Sequence, residues 1–345
     1  MSQPSISRRN PILRTEPRRF DRDSIIAFAG AFDPQPAHMD ERAAEATPLR
    51  GLAASGWQTC ALIAQDLRKA FAGHTRYLGM GSIDDLRWLR PVRPGDDLVC
   101  EVRLGASLPC SCDPAVTRRH AEVEARNQLG EIVVRWSCQL LFGEPYGARK
   151  SRTRMPRPPC EVRAPRRAKV MSRPGNHLIK YFEDVCCGDE IALGSYTFDS
   201  ANVSMFESIM AGSKECIETG SGRHVSDWHV VAAWMSLIVA YYKRRAAQLA
   251  ADGCPVPALG PATGARWLRW QAPVSIGDHI SFRGWAEHKV NAGGHGRWGL
   301  LVAGTEGRNQ HGDVVVSLYP QFLLERRPTH HRPDPEAHEL ADAWP

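Results

Sequence analysis

Apolar and polar residues alternate through Val134, Trp136, Cys138, Leu140 and Phe142, and again through Val316, Leu318, Phe322 and Leu324. A period of two over this length predicts half-buried strands. Two other stretches carry the 3.6-residue period. From Trp57 apolar positions fall at Ala61, Ala64, Leu67 and Phe71, with Gly73 as a stop; from Trp228 they fall at Ala232, Met235, Val239 and Tyr242. Each predicts a long helix opened by Ser-x-Trp, with Ser55 and Ser226 placed to cap it. Strands punctuated by Gly-Asp turns, at 95–96 and 277–278, follow both helices. Each half of the chain therefore reads as one apolar helix followed by an antiparallel sheet that wraps it, an α+β unit.

The two halves are copies of one another. LRWLRPVRPGD (86–96) matches LRWQAPVSIGD (268–278) at an offset of 182, and the same offset relates Asn127-Gln-Leu-Gly130 to Asn309-Gln-His-Gly312. Blocks agreeing on one offset establish an internal duplication. Earlier in each copy the offset changes. Phe20 and Phe28 align with Phe198 and Phe206 at 178, whereas Ser55-Gly-Trp57 aligns with Ser226-Asp-Trp228 at 171. The second copy thus lacks seven residues where the first reads Asp33-Pro-Gln-Pro-Ala-His38, and its replacement stretch between Phe206 and Ser226 has no Asp and only His224.

Composition sets the class. A chain of 345 residues, 43% hydrophobic and 24% charged, is an ordinary globular protein with room for two cores. No apolar run approaches the ~18 residues of a membrane span, so no membrane role is expected. The N-terminal arginines lack the apolar core of a secretory signal, and Glu16, Asp21 and Asp23 count against a transit peptide, so the expected location is cytoplasmic. Ten cysteines, including Cys110, Cys112, Cys186 and Cys187, do not repeat with zinc-site spacing and read as reduced thiols. His330, His331 and His338, among Pro333, Asp334 and Pro335, read as a mobile tail rather than a metal site. The net charge of +6 belongs to one segment: residues 148–175 hold ten Lys or Arg against Glu161. That segment reads as a semi-extended linker, with a phosphate contact as the alternative. No aromatics interleave with its charges, so no nucleic-acid partner is expected. The predicted organisation is a flexible start (1–14), a catalytic domain (15–146), the linker (147–176), a degenerate domain (177–327) and a tail (328–345).

The chemistry concentrates at Asp33 and His38. Prolines at 34 and 36 restrict the backbone, and Asp33 and Gln35 are expected extended or in turns. A carboxylate beside an imidazole is the minimum kit for adding or removing water, although the same spacing suits a plain acidic surface turn. Together with ASGWQT, LRWLRPVRPGD and the NQxGE hairpin, the stretch FDPQPAHMDERAA resembles the MaoC-like hot-dog hydratases and dehydratases, which include the R-specific 2-enoyl-CoA hydratases. The resemblance is strong over 15–143 and weaker over 180–326. It implies a tandem double hot-dog that reversibly hydrates a 2-enoyl-CoA to a 3-hydroxyacyl-CoA. The roles it implies are Asp33 and His38 as the catalytic pair and the Gly56 N–H as oxyanion donor. Gln35, Pro36, Ser55, Trp57 and Arg87 would line the substrate. No metal and no cofactor are implied beyond the coenzyme A of the substrate. Gly56 also suits its role physically: a helix start presents unpaired N–H groups to developing negative charge, and glycine lets a thioester approach.

Departures from the family pattern narrow the reading. Gln35 stands where Asn is usual, Ala64 where some relatives carry a serine, and Asp227 where the oxyanion glycine would fall in the second copy. That copy is therefore expected to be structural, pairing with the first, with two such chains forming a homodimer. Trp88 with Trp270, and Gly95-Asp96 with Gly277-Asp278, occur in both copies and so read as packing and turn residues. Two rival readings keep the fold. A hot-dog thioesterase would want an acid early on the first long helix, where the sequence offers only Asp66, well along it. An acyl-CoA-binding or assembly protein would need no acid/base pair.

Overall fold

The computed structural model describes residues 12–72, 77–110, 113–143, 180–211, 224–290 and 296–328. The basic linker, the tail from 329, Gly73 and the second copy's replacement stretch 212–223 lie outside the described residues. The first copy runs β1 (Ile12–Arg14), β2 (Arg18–Arg19), α1 (Arg22–Phe32), α2 (Pro36–Met39), α3 (Glu41–Glu45), α4 (Gly56–Ala72), β3 (Tyr77–Trp88), β4 (Asp97–Cys110), β5 (Asp113–Arg126) and β6 (Ile132–Gly143). The second runs β7 (Glu190–Thr197), α5 (Ser200–Ala211), α6 (Asp227–Ala251), β8 (Leu259–Trp270), β9 (His279–Val290), β10 (Trp298–Arg308) and β11 (Val314–Glu325). The duplication is visible element by element: α1 matches α5, α4 matches α6, and β3–β6 match β8–β11. One expectation fails at the N-terminus. Ile12–Arg14, assigned to the flexible start, instead pair with Arg103–Glu101 of β4.

All eleven strands form one antiparallel sheet in the order β1-β4-β5-β6-β3-β8-β11-β10-β9-β7, with β2 also on β4. Its inner face buries α4 and α6 in a core continuous through both copies, with Phe20, Phe28, Phe32, Leu67 and Trp136 fully enclosed. The residues repeated in both copies are structural. Asp96 accepts from the Arg93 N–H at 2.7 Å and from Gln128 at 3.0 Å; Asp278 accepts from the Ser275 N–H at 2.8 Å and from Gln310 at 2.7 Å. Trp88 Nε1 donates to the Gly56 carbonyl at 3.2 Å, and Trp270 Nε1 to the Asp227 carbonyl at 3.1 Å. Each copy thus locks its turn and anchors its helix start in the same way.

The copies join where β3 pairs with β8, with Ser82 opposite Arg269 and Arg87 opposite Gly264. The approach is close: a Cβ on Gly264 would lie 2.1 Å from the Leu86 carbonyl oxygen. Charge decides which edges can meet here. Arg269 donates to Asp84 at 2.6 Å and to the Ile83 carbonyl at 2.8 Å, while Arg266 donates to Asp85 at 3.0 Å. In the register of this ladder, β3 paired with another β3 would set Asp84 against Asp85 in both directions. Repulsion between adjacent carboxylates disfavours that arrangement, and the oppositely charged β8 is the complementary edge. The Arg269 side chain is 9% exposed, so Asp84→Ala strands a nearly buried guanidinium. It should lower the unfolding free energy by about 2–4 kcal/mol, measured by chemical denaturation. The exchanged pair Asp84→Arg with Arg269→Asp should recover part of that loss.

Candidate active site

Helix α1 begins at Asp21, whose carboxylate accepts from the Ser24 N–H at 2.8 Å, and ends at Asp33. Pro34 prevents continuation, and Gln35 is extended at φ −91, ψ 149, as the prolines predict. Pro36 then starts α2, a position that needs no N–H. The segment is more ordered than the expected loop, since His38 lies within α2 and Asp40 caps α3 by accepting from the Ala43 N–H at 2.7 Å.

This local geometry turns Asp33 and His38 toward each other, and both are buried. His38 Nδ1 lies 2.8 Å from the Ala53 carbonyl. A carbonyl only accepts, so Nδ1 carries a proton, and in the neutral ring Nε2 then presents its lone pair. Nε2 stands 3.6 Å from Asp33 Oδ2. The carboxylate is fixed on both oxygens: Gln35 Nε2 donates to Oδ1 at 2.7 Å, and the Ser55 hydroxyl donates to Oδ2 at 2.7 Å. Ser55 Oγ in turn lies 3.3 Å from the Trp57 N–H, so one buried hydroxyl links the carboxylate to the first turn of α4. Between Ser55 and Trp57, both buried, Gly56 is half-exposed, and its N–H has no hydrogen-bond partner among the described residues. Glycine is required there because a Cβ would meet the Trp88 indole at 2.5 Å.

The candidate residues separate accordingly. Asp33, His38, Gln35, Ser55 and Gly56 come together; Gln35 and Ser55, expected to line the substrate, are spent on the carboxylate. Trp57 is buried between Trp88, at a centroid distance of 4.9 Å, and Trp234 of the second copy, at 5.8 Å. Pro36 is exposed. Arg87 does not belong to the cluster. It alternates with Leu86 and Trp88, which face the core, and so projects from the other side of β3, donating to Asp85 at 3.1 Å and to Gln321 at 3.2 Å. Asp66, the thioesterase candidate, is held bidentately by Arg18. Ser226 starts α6, yet its hydroxyl makes no capping bond.

Two supports escaped the sequence reading. The Ala53 carbonyl that fixes His38 is backbone and leaves no motif. Arg93 donates to the carbonyls of Gly51 and Leu52 at 2.7 and 3.1 Å and to that of Leu49, so it holds the loop carrying Ala53. Its signal was available: within the repeated block, Arg93 faces Ser275 in the other copy. Among the described residues, no three His, Cys, Asp or Glu side chains cluster as a metal site would need. Cys60, Cys100 and Cys138 are buried free thiols; burial raises all three, Cys100 to about 12, and makes them inert. Cys186, Cys187 and Cys254 are free and exposed. No helix among the described residues is long and apolar enough to cross a membrane.

Comparison with known proteins gives a consistent picture. A family model described as a MaoC like domain matches residues 6–119. YdeM of Bacillus subtilis is 33% identical over 88 residues, 25% of this chain, and the chain spans 62% of that relative's length. A MaoC-like dehydratase from Rhodospirillum rubrum is 34% identical, covering 39% of this chain and 92% of its own, with a TM-score of 0.36. Over nearly the whole chain the fold is similar to a MaoC domain protein of Chloroflexus aurantiacus, at 14% identity, 93% and 96% coverage and a TM-score of 0.66. It is also similar to a Mycobacterium tuberculosis protein described as having a double hot-dog fold, at 13% identity, 92% and 96% coverage and a TM-score of 0.60.

The different use of the two helix-start serines is directly testable. Ser55→Ala removes a donor from the Asp33 carboxylate and an acceptor from the Trp57 N–H, both buried, and should cost about 1–3 kcal/mol. Ser226→Ala removes no cap and should stay within about 0.5 kcal/mol. Paired urea unfolding curves provide the check.

Proposed function

Because the chain belongs to the MaoC-like family and has its double hot-dog fold, we propose that it is a hydro-lyase on acyl-CoA thioesters, interconverting a 2-enoyl-CoA and a 3-hydroxyacyl-CoA. The observation that carries this reading is the 3.6 Å gap between His38 Nε2 and Asp33 Oδ2. With the ring neutral both atoms are acceptors, and the gap is too long for a direct hydrogen bond, so the pair suits a water that donates one O–H to each. Beside it lies the unpaired N–H of Gly56 at the start of α4, the place where a helix best receives negative charge.

In this mechanism the thioester oxygen sits at the Gly56 N–H and the held water faces Cβ. As the water oxygen bonds to Cβ, its proton passes to His38 Nε2 and the electron pair of the double bond moves toward the thioester oxygen. The imidazolium, held by the Ala53 carbonyl and facing Asp33, then delivers that proton to Cα. The sum is one water added, and dehydration is the reverse path. Preorganised donors at the oxyanion and a positioned acid/base pair are the two terms this geometry offers. Among its described residues the second copy contributes no such pair. Two chains are read as a homodimer, located in the cytoplasm, with coenzyme A entering as part of the substrate. The thioesterase reading is weakened by the Arg18 clamp on Asp66, and the pure binder by the convergence of Asp33 and His38.

Purified protein should hydrate a 2-enoyl-CoA without added metal or nucleotide, followed by loss of enoyl absorbance across short, branched, dicarboxylic and medium-length chains. Asp33→Asn and His38→Gln should each lower kcat by roughly 10²–10⁴-fold while leaving oligomeric state unchanged. Inactivity toward every such substrate would refute the assignment. Release of free coenzyme A from saturated acyl-CoA at comparable rates would move it to the thioesterases.

A further inference from the structure

The acid/base pair belongs to the first copy, yet the residue before Asp33 is held by the second. Phe32 is the last residue of α1 and is 1% exposed. Its ring meets Phe206 of α5 edge-on at 5.5 Å and 73°, and His229 of α6 at 5.6 Å and 74°. Those two rings lie flat on each other at 4.5 Å and 8°. Phe198 backs His229 at 5.0 Å, and Tyr196 lies 5.8 Å from it. From its own copy Phe32 has Phe28 at 5.4 Å. The arrangement is not mirrored in the other direction. At the offsets of the duplication, His229 corresponds to Gln58, whose amide bonds to the Ser24 carbonyl at 3.0 Å, and Phe32 corresponds to Met210.

We infer that Phe206 and His229 are positioning residues: the second copy, lacking acid/base chemistry of its own, clamps Phe32 and thereby aims the Asp33 carboxylate at His38. The inference rests on the functional reading above and says what the inert copy does for it. Asp33 is the next residue in the chain, so any rotation of the end of α1 displaces its carboxylate relative to Ser55, Gln35 and His38. Gln35 and Ser55 hold the oxygens, and among the described residues the rings of Phe206 and His229 hold the helix end from outside the first copy. His229 serves here as a flat ring. Burial depresses its pKa to about 3, so it stays neutral at ordinary pH. Its Nδ1 has no partner among the described residues, and Nε2 has only the Tyr196 hydroxyl at 3.4 Å.

The test uses the full chain in four variants: Phe206→Ala, His229→Ala, His229→Phe and, as a control, Leu301→Ala, a fully buried residue in the second copy's sheet. Phe206→Ala and His229→Ala should lower kcat on the order of 10- to 100-fold with KM little changed, the signature of a misplaced reacting group rather than lost binding. His229→Phe should restore most of that loss, since a ring is what the clamp needs. Leu301→Ala should reduce the unfolding temperature at least as much as the clamp variants without reducing kcat. Nitrogen NMR of the His38 imidazole gives a readout independent of turnover: its Nδ1–H signal should be sharp in the wild type and Leu301→Ala, and broadened or shifted in Phe206→Ala. Equal kcat losses in Leu301→Ala and Phe206→Ala, or a His229→Phe variant as impaired as His229→Ala, would overturn the clamp. Should the wild type hydrate no enoyl-CoA while the His38 signal still responds to Phe206→Ala, the proposed reaction falls and the clamp stands.

Discussion

The pairing of β3 with β8 is the contact on which the rest of the molecule depends. A single copy wraps a sheet around one side of a long helix and leaves a strand edge and a helix face without partners, and an unpaired edge invites indiscriminate association. Here the second copy satisfies both needs at once. β8 continues the hydrogen-bond ladder, and α6 comes alongside α4 to bring Trp234 against Trp57. The Asp84–Arg269 and Asp85–Arg266 pairs make this edge selective. With the ladder in this register, the second copy's aromatic rings reach the end of α1 next to Asp33.

The site itself is assembled from the ends of secondary-structure elements rather than their middles. Helix α1 stops at Asp33 because proline follows, α2 starts at Pro36, and α4 starts at Gly56. Ends are where backbone groups lack partners, and each free group here is given a specific one. The Ser55 hydroxyl serves the first turn of α4 and the Asp33 carboxylate together, and the Ala53 carbonyl accepts from His38 Nδ1–H. The Gly56 N–H is the exception, left over at the one place where a substrate oxygen would be useful. Its neighbour Trp88 explains why no side chain occupies that space, since the indole that anchors the helix start also excludes a Cβ.

Much of this was legible in the sequence because it rests on periodicity and duplication. The strand and helix periods located β6, β11, α4 and α6, and the common offset of 182 identified β3 and β8 as equivalents. The acid/base spacing brought Asp33 and His38 to notice. What escaped depended on contacts between segments distant in sequence. Arg87 is expected from sequence to line the substrate, whereas strand alternation in the structure turns it to the far side of β3. Gln35 and Ser55 looked like substrate contacts, and only the folded geometry shows their polar atoms committed to Asp33. Ile12–Arg14 carried no period long enough to predict a strand, and β4 supplies its partner.

Comparing the copies separates what the fold requires from what the chemistry requires, within one chain. The turn locks at Asp96 and Asp278 and the indole-to-carbonyl bonds of Trp88 and Trp270 are present in both, so packing alone accounts for them. Among the positions that differ are several in or behind the Asp33–His38 cluster of the first copy. Gly56 becomes Asp227, whose charge would oppose an enolate. Arg93, which holds the loop behind His38, becomes Ser275, and a capping hydroxyl at Ser55 becomes an uncapped Ser226. Gln58 becomes His229, and this change is of a different kind, because the new ring packs across the boundary against Phe32. On the proposed function, the sequence changes that would remove chemistry from the second copy thus coincide with a contact to the first. An acid that directly follows the last residue of an eleven-residue helix is exposed to small rotations of that helix, and contacts from outside the segment limit them. On the proposed function, a second copy that binds no substrate at its own helix start is free to supply such contacts.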